Sequence, residues 1–518
     1  MPTIRELLVG VETLSPVPDL EVCGLALDSR LVQPGDVFFA VVHRVDRYNF
    51  VEDAIRRGAV AVVGLKPGMK FSIPHVQVAD DRAALAHAAA AFYDHPAREL
   101  TLIAVTGTDG KTTTSNFIYQ ILQAAGHPTG MITTVNAQIG DEVLDTGFHV
   151  TTPEAHDTQR YLRQMVDAGL THAVLEMTSI GLVQQRGVQP RDVDIAVVTN
   201  ITHEHLNDHG SYQAYFDAKA LLFEGLAHAT EKARPVERLA VLNRDDRSYE
   251  GLSKHVEATQ LAYGLHADAQ LRAEEVDNRP EGVRFTAVGP GLRFPVVTQM
   301  FGDYNVDNAL AAIGATVVGL GISAEHAQAG IAALEGVPGR MERIEMGQDF
   351  TAIVDFAHTP FALEAALKTG RQITDGKLIA VFGSAGLRDK AKRRMMAEAS
   401  AELADLSILT AEDPRTESLD EILAEMAAGA KSKGGVEAET FWRVPDRGAA
   451  ISFALLQAKP GDLVLVLGKG HEQSMCFGEI EYPWDDRTAL RAALAELLDV
   501  EGPQMPRLPT AGEGVKSK

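Results

Sequence analysis

The stretch "LTLIAVTGTDGKTTTSNFIYQIL", residues 100 to 122, sets two glycines, a lysine and a run of three threonines between two apolar segments. A strand-like run, Leu102 to Val105, breaks into glycine and restarts at once as a helix. Glycines let backbone N–H groups approach an anion closely, and a helix N-terminus directs its positive end at the same point. Lys111 adds a point charge and Thr112 a hydroxyl suited to Mg²⁺. The phosphate-loop pattern G-x-x-x-x-G-K-[ST] has Val105 at its first glycine position, so this is a shortened variant. A strand-to-helix turn that merely carries a lysine is the competing reading. The intact order of strand, G-K-T-T-T and helix favours a nucleoside triphosphate, bound by Gly107, Thr108, Asp109, Gly110, Lys111, Thr112 and Thr113.

A chain of 518 residues has room for about three domains. With 45% hydrophobic and 23% charged residues it reads as soluble and globular. No apolar run approaches a membrane span, and the N-terminus "MPTIRELLVGVETL" lacks the layout of a signal peptide. The only cysteines, Cys23 and Cys476, imply no disulfide framework and fit a reducing cytoplasm. A formal net charge of −23 argues against nucleic acid as a partner, while local basic clusters still allow an anionic substrate.

Residues 1–98 mix short strands and helices, among them "DVFFAVV", "FVEDAIRRGA" and "VAVVG". Residues 99–335 alternate strands and helices, and "THAVLEM" and "DIAVVTNI" read as buried parallel strands. Glycine and proline in "LEGVPGRMERI" mark a boundary. From 336 to 497, "FTAIVDFAH", "KLIAVFGSAG", "DLSILTAEDP" and "DLVLVLGKGHE" each end a strand in polar residues. Ligands of such sheets sit at the carboxyl ends of the strands. The Pro- and Gly-rich segment 498–518 reads as a disordered tail.

"LEMTS" places Glu176 at a strand end, where a carboxylate could hold Mg²⁺ or simply face water. "TNITHEHLNDHG" carries Asn200, His203, His205 and His209. A zinc site fails the H-E-x-x-H order, because Asn207 stands where the second histidine belongs. A histidine beside a magnesium and phosphate site is the favoured reading. "SYQAYFDAKALLF" reads as an amphipathic helix with Lys219 near its apolar face, a place from which lysine usually snorkels to water. "GSAGLRDKAKRR" supplies Arg388, Lys390, Lys392, Arg393 and Arg394, ordinarily a solvated helix face but here directly after a strand.

With these motifs the chain resembles the Mur ligases, ATP-dependent amide-bond-forming enzymes of peptidoglycan synthesis. The resemblance spans about residues 20 to 490 through "DSRLVQPGDVFFA", "TGTDGKTTT", "TTPE", "EMTS", "GDYNVDNALAA", "GVPGRMERI", "VDFAHTP", "GSAGLRDKAKRR", "EDPR" and "GKGHE". It implies a three-domain α/β architecture: a uridine-nucleotide domain, a central P-loop ATPase domain and a Rossmann-like C-terminal amino-acid domain. Within the family the pattern is most similar to ligases that add a diamino acid to UDP-N-acetylmuramoyl-L-alanyl-D-glutamate. The resemblance implies Mg²⁺ at Thr112, Glu176 and His205, and a Lys219 that CO₂ converts to an anionic carbamate, against the snorkelling reading. It places Asn308, Arg340 and Asp355 on ATP across the domain junction. Ser29, Arg30, Thr151, Thr152, Thr178, Gln184 and Arg186 align with contacts to the UDP-muramoyl-dipeptide. Arg388, Asp413, Arg415, Gly468 and Glu472 align with the incoming amino acid. Lys111, Lys219 and His205 would carry the catalysis, in a cytoplasmic protein expected to be a monomer.

Several positions depart from the pattern: Asp109 for the usual Asn, Ile180 for a His, "DRYNF" for D-G-[HR] before Phe, Phe361 for an Asp, and "EDPR" for D-N-P-R. Asp413 is thereby expected to bring negative charge into the amino-acid pocket or to neutralise Arg415, either of which favours L-lysine or L-ornithine over diaminopimelate. The implied reaction passes through an acyl phosphate shielded from water by closure of the C-terminal domain. Competing readings are another ligase of the superfamily, of the folylpolyglutamate type, and a nucleotide-binding protein that has lost ligation.

Overall fold

The computed structural model describes residues 1–42, 46–135, 137–140, 142–144, 152–202, 209–228, 230–279 and 282–512. The chain forms two compact units, one of residues 1–274, 287–294 and 307–330, the other of residues 275–286, 295–306 and 331–518.

The first unit opens with a parallel sheet of four strands in chain order, Gly24–Ala26, Asp36–Phe39, Ala61–Gly64 and His75–Gln77. The alanine-rich helix Asp81–Phe92 is capped by Asp80, whose carboxylate accepts from Arg82 N and Ala83 N. It buries Ala84, Leu85, Ala88 and Ala89 against Val37, Phe39, Val63 and Val76.

In the larger sheet of this unit, Thr101–Thr106 lies between His172–Glu176 and Ile195–Val198, all three parallel. Every residue of the central strand is buried, which is why it reads as a continuous apolar run rather than an alternating one. The register pairs Val105 with Glu176 on one side and with Val197 on the other. The carboxyl ends of three adjacent strands therefore finish level. Strand order and crossover helices place the loop at 107–110, Glu176 and the pair Thr199–Asn200 side by side.

The second unit is a doubly wound sheet in the order Glu342–Arg343, Thr351–Asp355, Leu463–Leu467, Leu378–Phe382, Leu406–Leu409 and Phe441–Arg443. Its last five strands are parallel and the short first one is antiparallel. Helices Pro360–Ile373, Ala391–Leu403 and Leu419–Ser432 cover one face, and Arg447–Gln457 and Asp486–Leu498 the other. The four C-terminal strands expected from sequence are all present and contiguous in this sheet.

Two expectations give way here. The segment read as a disordered tail packs for part of its length: Leu508 is buried on the C-terminal core beside Met505, and Thr510 Oγ1 donates to Asp446 Oδ2 at 2.9 Å. The basic run after the third strand is not uniformly a solvated face. Arg393 is fully buried and pairs with Glu417 at 2.9 Å and Glu425 at 3.0 Å.

Arg447 is also fully buried. Its guanidinium takes Asp486 in a bidentate pair at 2.7 and 2.6 Å. It also donates to Ala411 O at 3.1 Å and Leu467 O at 2.9 Å, fastening two strand ends. Removing one partner of a buried pair leaves the other uncompensated, so Arg447→Met is expected to cost about 3–5 kcal/mol. Trp484 Nε1 donates to the same carboxylate at 2.8 Å, so its fluorescence should follow the urea unfolding. An unchanged midpoint would refute this account of the pair.

Candidate functional site

The helix Lys111–Ala124 begins directly after Gly110, so its first N–H groups lack intrahelical acceptors and face the loop. The loop is shaped from outside. Thr108 N donates to Asn200 O at 2.8 Å, and Asp109 N to Asn200 Oδ1 at 2.9 Å. Thr199 Oγ1 donates to Asp109 O at 2.5 Å. Gly107 has φ +148°, and a Cβ there would overlap Thr199 Oγ1, so no other residue fits. A Cβ at Gly110 would likewise strike Asn308 Oδ1, which accepts from Thr114 Oγ1 at 3.2 Å.

Lys111 Nζ donates to Thr108 O at 2.7 Å and stands 4.0 Å from Glu176 Oε1. Glu176, almost wholly buried, accepts from Thr112 Oγ1 at 2.9 Å and from Thr134 Oγ1 at 2.9 Å. Thr113 is buried in the first helical turn. Asp109 Oδ2 is buried with no hydrogen-bond partner among the described residues. A close-approach glycine cradle, a free helix N-terminus and a lysine fit a triphosphate. A hydroxyl bonded to a carboxylate is an all-oxygen donor set that fits Mg²⁺. Thr134 and Thr199 were not singled out from sequence; their neighbours Glu176 and Asn200 were.

Lys219 lies on the helix Tyr212–Glu224, is 1% exposed and donates to Gly107 O at 2.6 Å, with its nitrogen 4.6 Å over the Tyr215 ring. It does not snorkel. Tyr215, on the same helix, also bonds Thr108 Oγ1 at 3.1 Å. His205 and Thr151 lie outside the described residues. His209 is placed, with Nε2 2.9 Å from Ser179 Oγ.

Thr152 and Thr178 meet, their hydroxyls 3.1 Å apart, and Thr178 caps the helix Ser179–Val183. Arg186 Nε donates to Gln184 Oε1 at 2.8 Å and its Nη2 lies 3.5 Å from Glu154. Glu154 also takes Arg82 at 2.5 Å, tying the helix Asp81–Phe92 to this cluster. Ser29 is buried at the first turn of Ser29–Leu31, whereas the Arg30 side chain is 80% exposed and forks onto Asp28. That guanidinium holds the Asp28 carboxyl below its usual range. The "DRYNF" segment puts Tyr48 OH 3.0 Å from His75 Nε2, and burial pushes the phenol up to about 12.

In the second unit Asp355 accepts from Met341 N at 2.8 Å and Ala357 N at 2.9 Å. Arg340 stacks 4.5 Å over Phe356, and its buried Nε has no hydrogen-bond partner among the described residues. Arg388 is exposed. Gly468 follows the strand Leu463–Leu467, where a Cβ would lie 2.5 Å from Glu412 Oε2. Burial pushes the Glu412 carboxyl up, and that oxygen has no partner among the described residues. Asp413 departs from expectation. Its Oδ1 accepts from Lys469 Nζ at 3.0 Å and Cys476 N at 2.9 Å, so its charge is met by a lysine rather than by Arg415. Arg415 Nε is buried without a hydrogen-bond partner among the described residues.

A mixed sheet with a glycine loop, Lys111 and Glu176 at the ends of its parallel strands, and a second doubly wound sheet with polar strand ends, fit the class of nucleotide-dependent α/β enzymes. The Mur ligase middle domain family matches residues 105–316, and the family described as Mur ligase, glutamate ligase domain, matches residues 339–470. UDP-N-acetylmuramyl-tripeptide synthetase of Roseiflexus sp. (strain RS-1) is 43% identical over 490 residues, covering 93% of this chain and 96% of that protein. UDP-N-acetylmuramoyl-L-alanyl-D-glutamate--2,6-diaminopimelate ligase of Geobacillus thermodenitrificans is 40% identical over 477 residues, covering 92% and 95%. A solved structure of a ligase of that second name superposes with TM-score 0.65 at 30% identity, covering 96% of this chain and 99% of the other. The chain belongs to the Mur ligase family, whose members are ATP-dependent, ADP-forming ligases.

Proposed function

We propose that this ligase joins a diamino acid to UDP-N-acetylmuramoyl-L-alanyl-D-glutamate in peptidoglycan precursor synthesis, in the cytoplasm. The supporting observation is the level ending of three parallel strands that brings Lys111, Thr112 and Glu176 to one loop. Residues 107–113 hold the ATP phosphates, and Asn308, Arg340 and Asp355 are assigned to the nucleotide. Thr112 and Glu176, with His205, would hold Mg²⁺, which when bound would neutralise phosphate charge. Residues 1–98 take the uridine nucleotide, with Ser29 and Arg30. Thr151, Thr152, Thr178, Gln184 and Arg186 take the muramoyl-dipeptide, and residues 336–497 take the amino acid.

The substrate carboxylate attacks the γ-phosphorus of ATP, giving an acyl phosphate and ADP. The amine of the diamino acid then attacks the acyl carbon, and inorganic phosphate leaves. Lys111 counters charge on the transferring group. The test is ADP release from purified protein with each component omitted in turn. Release that requires the UDP-muramoyl-dipeptide and a diamino acid together is expected. Release supported by a folate and glutamate, or by neither amino acid, would overturn the reading.

A further inference from the structure

Two loops at the carboxyl ends of the second sheet meet at one cation. Lys469 is wholly buried, its Nζ 3.0 Å from Asp413 Oδ1 and 2.5 Å from Glu472 Oε2. Asp413 and Arg415 flank a single backbone residue. The Asp413 carboxylate accepts from Cys476 N at 2.9 Å, and Arg415 N donates to Cys476 O at 3.1 Å. Burial alone would lower the Lys469 pKa, but the Glu472 and Asp413 carboxylates outweigh it and hold the group above its usual value. The lysine stays an ammonium, shared between Glu472 and the buried Asp413. Arg415 Nε, buried without a partner among the described residues, keeps its capacity to meet an anion.

We infer that Lys469 is a positioning residue that sets the charge selectivity of the amino-acid site: its ammonium offsets the Asp413 carboxylate, so a distal carboxylate on the incoming diamino acid is repelled less than it would be by Asp413 alone. This rests on the ligation proposed above. Without the ammonium, Asp413 would present an unpaired negative charge next to Arg415. It would then disfavour an amino acid ending in ammonium and carboxylate relative to one ending in ammonium alone. The Asp413 carboxylate is held by Cys476 N as well as by Lys469, so it stays in place when the lysine is removed.

The experiment compares kcat/KM for meso-diaminopimelate and L-lysine in wild type, Lys469→Met, Lys469→Arg and Asp413→Asn/Lys469→Met. KM for ATP and for the UDP-muramoyl-dipeptide is measured in parallel. Where one amino acid is turned over too slowly to measure, its inhibition constant against the other replaces it. The diaminopimelate-to-lysine ratio is expected to fall about tenfold or more in Lys469→Met, the scale of one charged hydrogen bond. It should return to near wild type in the double variant and stay there in Lys469→Arg, with the other two KM values unmoved. A ratio unchanged in Lys469→Met, a double variant that does not recover, or KM values that all rise together would overturn the inference. Wild-type protein that releases ADP with no diamino acid at all would instead sink the ligation reading, and this inference with it.

Discussion

Lys111→Ala should eliminate amino-acid-dependent ADP release while the protein stays folded. The side chain is 16% exposed and makes its hydrogen bond to Thr108 O within the loop, outside any apolar core. Thr108 keeps its own N–H bond to Asn200 and its hydroxyl bond to Tyr215 when the lysine is cut back. Glu176 retains Thr112 and Thr134. Stability should therefore change by about 1 kcal/mol or less, the ordinary range for a substitution away from core and network. Activity is another matter, because a donor aimed at developing charge in a water-poor site contributes about 10²–10³-fold or more to the rate. Initial rates with saturating substrates, set beside a thermal melt, separate the two. Near-wild-type kcat with an unchanged KM for ATP would remove Lys111 from the phosphate site.

Loss of Lys219 should be nearly as severe, for a different reason. An ammonium cannot ligate a metal ion, whereas the carbamate formed when the neutral amine adds CO₂ and releases a proton is anionic and can. The geometry suits the change. A carbamate nitrogen keeps one N–H, which is what the 2.6 Å bond to Gly107 O needs. At 1% exposure the new group would be sheltered from water. Intact mass under bicarbonate should show the gain of one CO₂ on Lys219, lost in Lys219→Ala. That variant should fall about 100-fold or more in rate, by the same electrostatic argument. Formate or acetate should restore part of it by occupying the space the side chain vacates. An unmodified lysine under bicarbonate, together with an active alanine variant, would end the idea.

Much of this could be read in the sequence because short-range signals carried it. The order strand, glycine loop, helix is local, and "THAVLEM" and "DIAVVTNI" had to be strands on length and β-branching. The four polar strand ends after residue 336 followed from the same pattern. What stayed hidden depends on pairings far apart in sequence. Arg447 and Asp486 are separated by 39 positions, and neither "PDRGAA" nor "WDDRTAL" announces a buried partner. The sequence leaves Asp413 either as a negative charge in the pocket or as the partner of Arg415, because Lys469, its actual partner, lies 56 residues on. Lys219 shows propensity overridden by packing: helical periodicity located it on an apolar face but could not say that the face closes on Gly107. The tail misled because composition rich in proline and glycine says nothing of one leucine finding a core.

The bonds from Thr199 and Asn200 to the glycine loop carry a consequence for how the molecule is made. The partners are some 90 residues apart, Asp109 and Thr199 among them. The loop's working shape is thus not encoded in residues 100–122 alone; it is completed only when the strand Ile195–Val198 joins the sheet. Such distant pairing is slow, because chain closure must be achieved before the contacts repay it. On a translating ribosome the phosphate loop would emerge early and wait, unable to hold a nucleotide, until roughly 90 further residues had left the exit tunnel. Nucleotide affinity in this chain should then be a late event of folding, and a nascent fragment ending before Thr199 is expected to show none of it.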